Sequence, residues 1–153
     1  MLQLQSSLKK LLLLIFGIAF PPSFVWEMLQ MVAYAPFGQS ALQRWLFCGL
    51  AAIADALYIT VLYWIGRYLT HNADWIFDLT GKRIFWIAIA GVISATFTER
   101  TALALGLWQY SDAMTQVPIL QVGIVPILQF FVLPIVTFWF VKRLSKQQTK
   151  LDL

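Results

Sequence analysis

The sequence predicts an all-α fold: one bundle of four transmembrane helices in a single integral membrane domain, 1–153, with both termini on the inner side. Three observations predict it. Of 153 residues, 60% are hydrophobic and 12% charged, against roughly 45–50% apolar and about 25% charged in a soluble domain. So few charges cannot cover a water-facing surface of this size. Four apolar segments follow one another, 11–35, 45–69, 84–108 and 118–141, and a helix needs about 20 residues to cross the hydrocarbon core. Finally, the eleven Lys and Arg residues are asymmetric: nine flank the termini and the second connection, Arg44 alone flanks the other side, and Arg100 lies inside the third segment. The positive-inside rule then places both termini and the second connection in the cytoplasm. An even number of helices requires the same arrangement.

The first segment begins after Lys9 and Lys10 and has the look of a signal-peptide core. The small-x-small site at Ala33-Tyr34-Ala35 lies too far on, Glu27 intervenes, and Pro36 follows the cleavage point, so an uncleaved helix is expected. Pro21-Pro22 is expected to interrupt it a turn before Glu27. Before the second segment, Ser40 and Gln43 have capping-box spacing, which starts that helix a turn ahead of Trp45. Gly49, Ala51, Ala52, Ala54 and Ala56 make this helix slim. Cys48 is the only cysteine, which leaves no disulfide and no Cys-based metal site within the chain.

In the second connection, Trp75, Ile76 and Phe77 are expected to form a short interfacial helix. His71 stands alone there, and no metal is assigned to it. The third segment carries Gly91, Ser94, Ala95, Thr98 and Ala102 on one face. Small residues permit close helix approach in lipid, and the second helix is the expected neighbour. Pro126 and Pro134 are expected to interrupt the fourth segment on either side of Gln129, residues 142–153 read as a cytoplasmic tail, and 145–153 within it as frayed. Trp45 and Trp108 fall at the outer interface, and Trp64, Trp75, Trp86 and Trp139 near the inner one, as an aromatic belt does.

The polar residues inside the segments are the candidate site. Glu27, Gln30, Asp55, Glu99, Arg100 and Gln129 all fall at mid-depth or outward of it, and Trp108 and Tyr110 fall at its mouth. An isolated Asp or Arg at the bilayer centre costs about 2.5–3.5 kcal/mol on insertion scales. Each Leu, Ile or Phe returns only about 0.3–0.6 kcal/mol. Such residues should therefore face inward and pair, and a buried ion pair of Arg100 with Glu27 or Asp55 is expected. Three carboxylates against one guanidinium leave an excess of negative charge. A proton on one carboxyl, a bound cation, or water from outside would relieve it.

Enzyme templates fit poorly. The chain has no GxSxG, no HExxH and no P-loop, no cofactor is implied, and whether it is an enzyme is left open. The basic residues are spread over membrane edges, which argues against nucleic acid. The expected partners are the bilayer, a small lipophilic ligand or cation, and possible membrane-protein neighbours.

"WEMLQ" at 26–30, Asp55, "TERTALALGLWQY" at 98–110 and "GIVPILQFFVLP" at 123–134 resemble a group of small uncharacterised bacterial four-helix membrane proteins. Those carry W-E-x-x-Q, a mid-helix Asp, an acid in the third helix, W-x-Y beside a Met-Pro, and G-x-x-P-x-x-Q. Here Met114 is followed by Thr115, and the proline comes at Pro118. The resemblance implies a four-helix bacterial membrane protein, which places it in the inner membrane, and implies no activity. A fainter likeness to the short polytopic domains of carotenoid cyclases lacks their P-x-E-E element. Three readings remain: a site for a small lipophilic or cationic ligand entering from outside, a structural or assembly subunit whose polar groups only fix helix packing, and a lipid- or isoprenoid-modifying enzyme.

Overall fold

A computed structural model describes the backbone of residues 2–35 and 40–151 and the side chains of residues 8–35 and 40–145. The first connection's residues 36–39, including the loop around Gly38, lie outside the described residues, as do 152 and 153 and the side chains of most of the C-terminal tail. Four helices dominate: α1 (Leu2–Gln30), α2 (Ala41–Thr70), α3 (Gly81–Ala104) and α4 (Ile124–Leu151). Each contains a stretch long and apolar enough to cross a membrane. The α1–α2 and α3–α4 connections share one end of the bundle, here called upper. The α2–α3 connection and both chain ends share the lower end.

The helix ends follow local chemistry. Ser40 and Gln43 form the expected capping box, Gln43 N–H donating to Ser40 Oγ and Ser40 N–H to Gln43 Oε1, and α2 begins at Ala41. The third helix stops at Ala104, short of the expected Trp108. Gly106 at φ +68° makes the stop. Its N–H donates to Leu103 O at 3.1 Å and Leu107 N–H donates to Ala102 O at 2.9 Å, the paired closure that a left-handed glycine permits.

Helix α4 begins at Ile124, where the sequence reading began it at 118. Residues 116–123 fold into a hairpin instead. β1 (Gln116–Val117) pairs antiparallel with β2 (Val122–Gly123), Val117 opposite Val122, and Gln121 turns at φ +54°. Pro126 therefore falls in the first turn of α4, where a missing N–H costs little, rather than interrupting the helix. Only Pro134 sits within its length. Pro21 and Pro22 lie inside a continuous α1 and do not break it. The backbone of α4 stays helical through Leu151, beyond the 141 at which the sequence reading ended the fourth segment.

Helix packing sets where the site can be. α1 packs on α2 and on α4, and α4 packs on α3, while α2 and α3 barely meet. The expected pairing of the small α3 face with α2 is therefore corrected: Gly91, Ala95 and Ala102 are buried, and a Cβ on Gly91 would lie 2.7 Å from the Phe130 carbonyl oxygen of α4. The lower half is filled by Ile15, Ile59, Leu62, Tyr63, Leu133, Phe138 and Val141. The short helix expected at Trp75–Phe77 forms as a 3-10 turn, but Trp75 is packed inside the bundle and is not an interfacial anchor. It is 3% exposed, its Nε1 donates to Tyr63 O at 3.0 Å, and its ring meets Phe138 edge-on at 5.4 Å. Gly66 makes room, since a Cβ there would strike the indole. Arg83 Nη1 holds the connection by donating to Trp75 O at 3.0 Å and to the Asp78 carbonyl.

Candidate functional site

The upper half differs from the lower half because polar side chains replace the aliphatic fill. On α1, Glu27 and Gln30 are one turn apart, and Gln30 Nε2 donates to Glu27 Oε1 at 2.7 Å. On α4, Gln129 Nε2 donates to the same Glu27 Oε1 at 2.6 Å and to Asp55 Oδ2 of α2 at 2.6 Å. One amide nitrogen thus ties three helices. Gln129 is 2% exposed, Gln30 7% and Asp55 9%.

Glu99 forms a second group. Tyr110 Oη donates to Glu99 Oε2 at 2.6 Å, Trp108 Nε1 to the same oxygen at 3.3 Å, and Tyr34 Oη to Oε1 at 3.2 Å. Tyr110 Oη in turn accepts from Gly123 N–H at 3.0 Å. The segment after α1 and the segment after α3 bring these rings together. Tyr34 and Tyr110 form an antiparallel bridge, Ala35 N–H donates to Gln109 O at 2.9 Å, and Ser111 N–H donates to Ala33 O at 3.0 Å. Burial, with the Glu99 carboxylate beside them, pushes both tyrosine hydroxyls above the ordinary tyrosine range. They remain protonated donors at neutral pH.

Both groups border one cavity of about 1350 Å³, whose lining includes Glu27, Gln30, Asp55, Glu99, Gln129 and Trp108. Its walls are aromatic at Tyr34, Phe47, Tyr58, Phe97 and Phe130, and Arg44 lies at its upper rim. Eleven residues of α2 separate Arg44 from Asp55, a depth of about 16 Å at 1.5 Å per residue.

Arg100 is the correction. It is exposed, it does not line the cavity, and the buried ion pair expected for it does not form. Among the described residues the salt bridge is Arg83–Asp78, at 3.4 Å. The reason is angular. Glu99 faces α4 and the cavity, and the next residue points about 100° round the helix, away from the bundle. Four residues from the end of α3, its long stem can carry the guanidinium to a polar edge. Neutral donors from Gln, Tyr and Trp satisfy the carboxyls instead. Gln121, exposed in the hairpin, is also outside the site.

Tyr34 is the site residue that sequence reasoning missed. It lies beyond the end of α1 in extended backbone, φ −111° and ψ 147°, so no helical stripe runs through it and its meeting with Glu99 had no local signal. Gly123 N–H carried no signal either. Among the described residues no group of three or more His, Cys, Asp or Glu side chains could hold a metal ion. The chain matches no protein family, no curated protein and no solved structure, so the site is read from its own chemistry.

Proposed function

We propose that this is a multi-pass protein of a bacterial inner membrane, with both termini and the α2–α3 connection in the cytoplasm. Its cavity binds a small lipophilic or cationic ligand that reaches it from the outer half of the bilayer. The observation that carries this reading is the cavity itself: about 1350 Å³ bordered by three carboxyls, with Arg44 at the rim as the cation among its lining residues. The cavity is a groove between the helices, open between α2 and α3, with the carboxyls at its inner end. A polar lock that only joined helices would not need such a space. Carboxyls at depth and aromatic walls both favour positive charge on the occupant.

The test uses two probes of one shape and opposite charge. Purified protein in lipid nanodiscs is titrated with tetraphenylphosphonium and with tetraphenylborate. The expected result is saturable binding of the cation, lost in Glu27→Gln/Asp55→Asn, and no saturable binding of the anion. Equal binding of both, or cation binding indifferent to the double substitution, would sink the reading. One observation favours the structural alternative: Gln129 bridges α1, α2 and α4. On that reading the double substitution changes stability alone.

A further inference from the structure

The deep end of the cavity has a specific donor–acceptor imbalance. Glu27 and Asp55 present carboxyl oxygens around the single Gln129 Nε2. Gln30 Nε2 is committed to Glu27, which leaves Gln30 Oε1 as the other end of that amide. This oxygen is buried without a hydrogen-bond partner, on a side chain 7% exposed that borders the cavity. A buried acceptor left unmet costs on the order of 1–3 kcal/mol. The space is therefore bordered by the two carboxyls, with Gln30 Oε1 buried behind them without a donor and the Tyr58 hydroxyl of the cavity wall buried without a partner. A primary ammonium brings three N–H donors and one positive charge. A quaternary ammonium brings the charge with no donor, and a hydroxyl brings one donor with no charge. A bare metal ion fits less well, because an amide N–H stands between the two carboxyls.

A second, independent feature concerns the rest of the ligand. Since α2 and α3 barely meet, the cavity has an open side between them. Phe47 and Leu50 of α2 and Phe97 of α3 all border the cavity, yet they are 56%, 66% and 73% exposed. Ala54 and Thr98, also exposed cavity residues, keep the gap clear. In a bilayer this apolar-edged gap faces acyl chains.

We infer that the cavity holds the head of a single-chain lipophilic primary amine, the ammonium at the Glu27 and Asp55 carboxyls and the hydrocarbon chain leaving sideways between α2 and α3. This rests on the proposed reading of the cavity as a site for a lipophilic cation, and it adds the head group, the chain and the route. Arg44 repels a cation only at the rim, about 16 Å from Asp55 along the helix, and a ligand arriving through the gap does not pass it.

The experiment titrates nanodisc-embedded protein with dodecylammonium, dodecyltrimethylammonium and butylammonium, subtracting protein-free nanodiscs. Dodecylammonium should bind at least about tenfold more tightly than its trimethyl analogue, the loss expected when charge-assisted donors are removed. Butylammonium should bind about 100-fold more weakly or worse, for want of buried methylenes. Ala54→Phe/Thr98→Phe, which fills the gap at two exposed positions, should abolish dodecylammonium binding while the thermal unfolding profile stays that of the parent. Equal affinity for the primary and quaternary amines overturns the head-group assignment. Undiminished dodecylammonium binding in the gap-filled protein overturns the lateral route. If either happens while tetraphenylphosphonium still binds through Glu27 and Asp55, the broader reading survives. If that binding is absent too, both fall together.

Discussion

Gln129 Nε2 donates to Glu27 Oε1 at 2.6 Å, across 102 residues of sequence. The same nitrogen reaches Asp55 at 2.6 Å, so this side chain is the donor both carboxyls share. Gln129→Leu should destabilise the protein by about 1–3 kcal/mol, because it strands the buried Asp55 Oδ2 and leaves Glu27 Oε1 with Gln30 as its donor. Glu27→Leu/Gln30→Leu/Asp55→Leu/Gln129→Leu should cost less than the single change, since the whole cluster of linked polar groups is then removed together. Reversible unfolding in mixed micelles gives both values. A single-substitution cost near the average of about 0.6 kcal/mol for an interhelical hydrogen bond in a membrane would mean that the carboxyls find other donors.

Glu99 offers a graded comparison. Tyr110 holds it at 2.6 Å and also accepts from Gly123 N–H, whereas Tyr34 holds it at 3.2 Å. Tyr110→Phe should cost about 1.5–3 kcal/mol and Tyr34→Phe about 0.5–1.5 kcal/mol, following the difference between strong charge-assisted and ordinary bonds. A pH effect accompanies this. Burial raises both hydroxyls, so the folded state keeps two protons that the unfolded chain releases above the ordinary tyrosine range. The stability they contribute is fully present below that range and is lost as pH rises through the raised values. Unfolding followed between neutral and strongly alkaline pH should show the decline, and Tyr34→Phe/Tyr110→Phe should flatten it. A parallel decline in the double variant would assign it to other groups.

Two glycines separate close approach from mere smallness. A Cβ on Gly91 would lie 2.7 Å from the backbone oxygen of Phe130, while one on Gly49 would meet nothing within 4 Å. Backbone cannot swing aside as a side chain can. Gly91→Ala should force α3 from α4 and cost about 1–3 kcal/mol, as overpacking does. Gly49→Ala should stay within about 0.5 kcal/mol of the parent. Thermal unfolding of the two variants side by side tests this, and equal behaviour would contradict the contact between α3 and α4.

The basic residues predict the orientation. Tags at either terminus should face the cytoplasm, and a cysteine at Asp112, an exposed residue of the α3–α4 connection, should face the periplasm. Asp112→Cys in a Cys48→Ala background should react with an impermeant thiol reagent in intact spheroplasts. Reaction only after lysis would invert the orientation.

Much of the candidate site was legible in the sequence because the membrane penalty is local. Glu27, Gln30, Asp55, Glu99 and Gln129 stand out as polar residues inside apolar runs, and no neighbour needs to be known to see that each needs a partner. The partners were not legible. Arg100 and Glu99 are adjacent in sequence and diverge by the helical angle, so the obvious base is absent from the cluster. Tyr34, seven residues past Glu27, meets Glu99 only because two connections run antiparallel.

The sequence by itself determined the number and rough extent of the helices, the cap at Ser40 and the place of the acids along their helices. Those depend on hydrophobic length, 3.6-residue periodicity and side-chain chemistry, which are properties of short stretches of chain. Only the tertiary structure decided that α3 lies on α4 and not on α2, that Trp75 plugs the lower end, and that a carboxyl-lined cavity opens between α2 and α3. Four apolar helices bury similar areas in several arrangements. The choice among them rests on contacts such as Gly91 on Phe130 and Gln129 on Glu27, in which residues far apart in the chain must fit at atomic distance, and no local pattern encodes that fit.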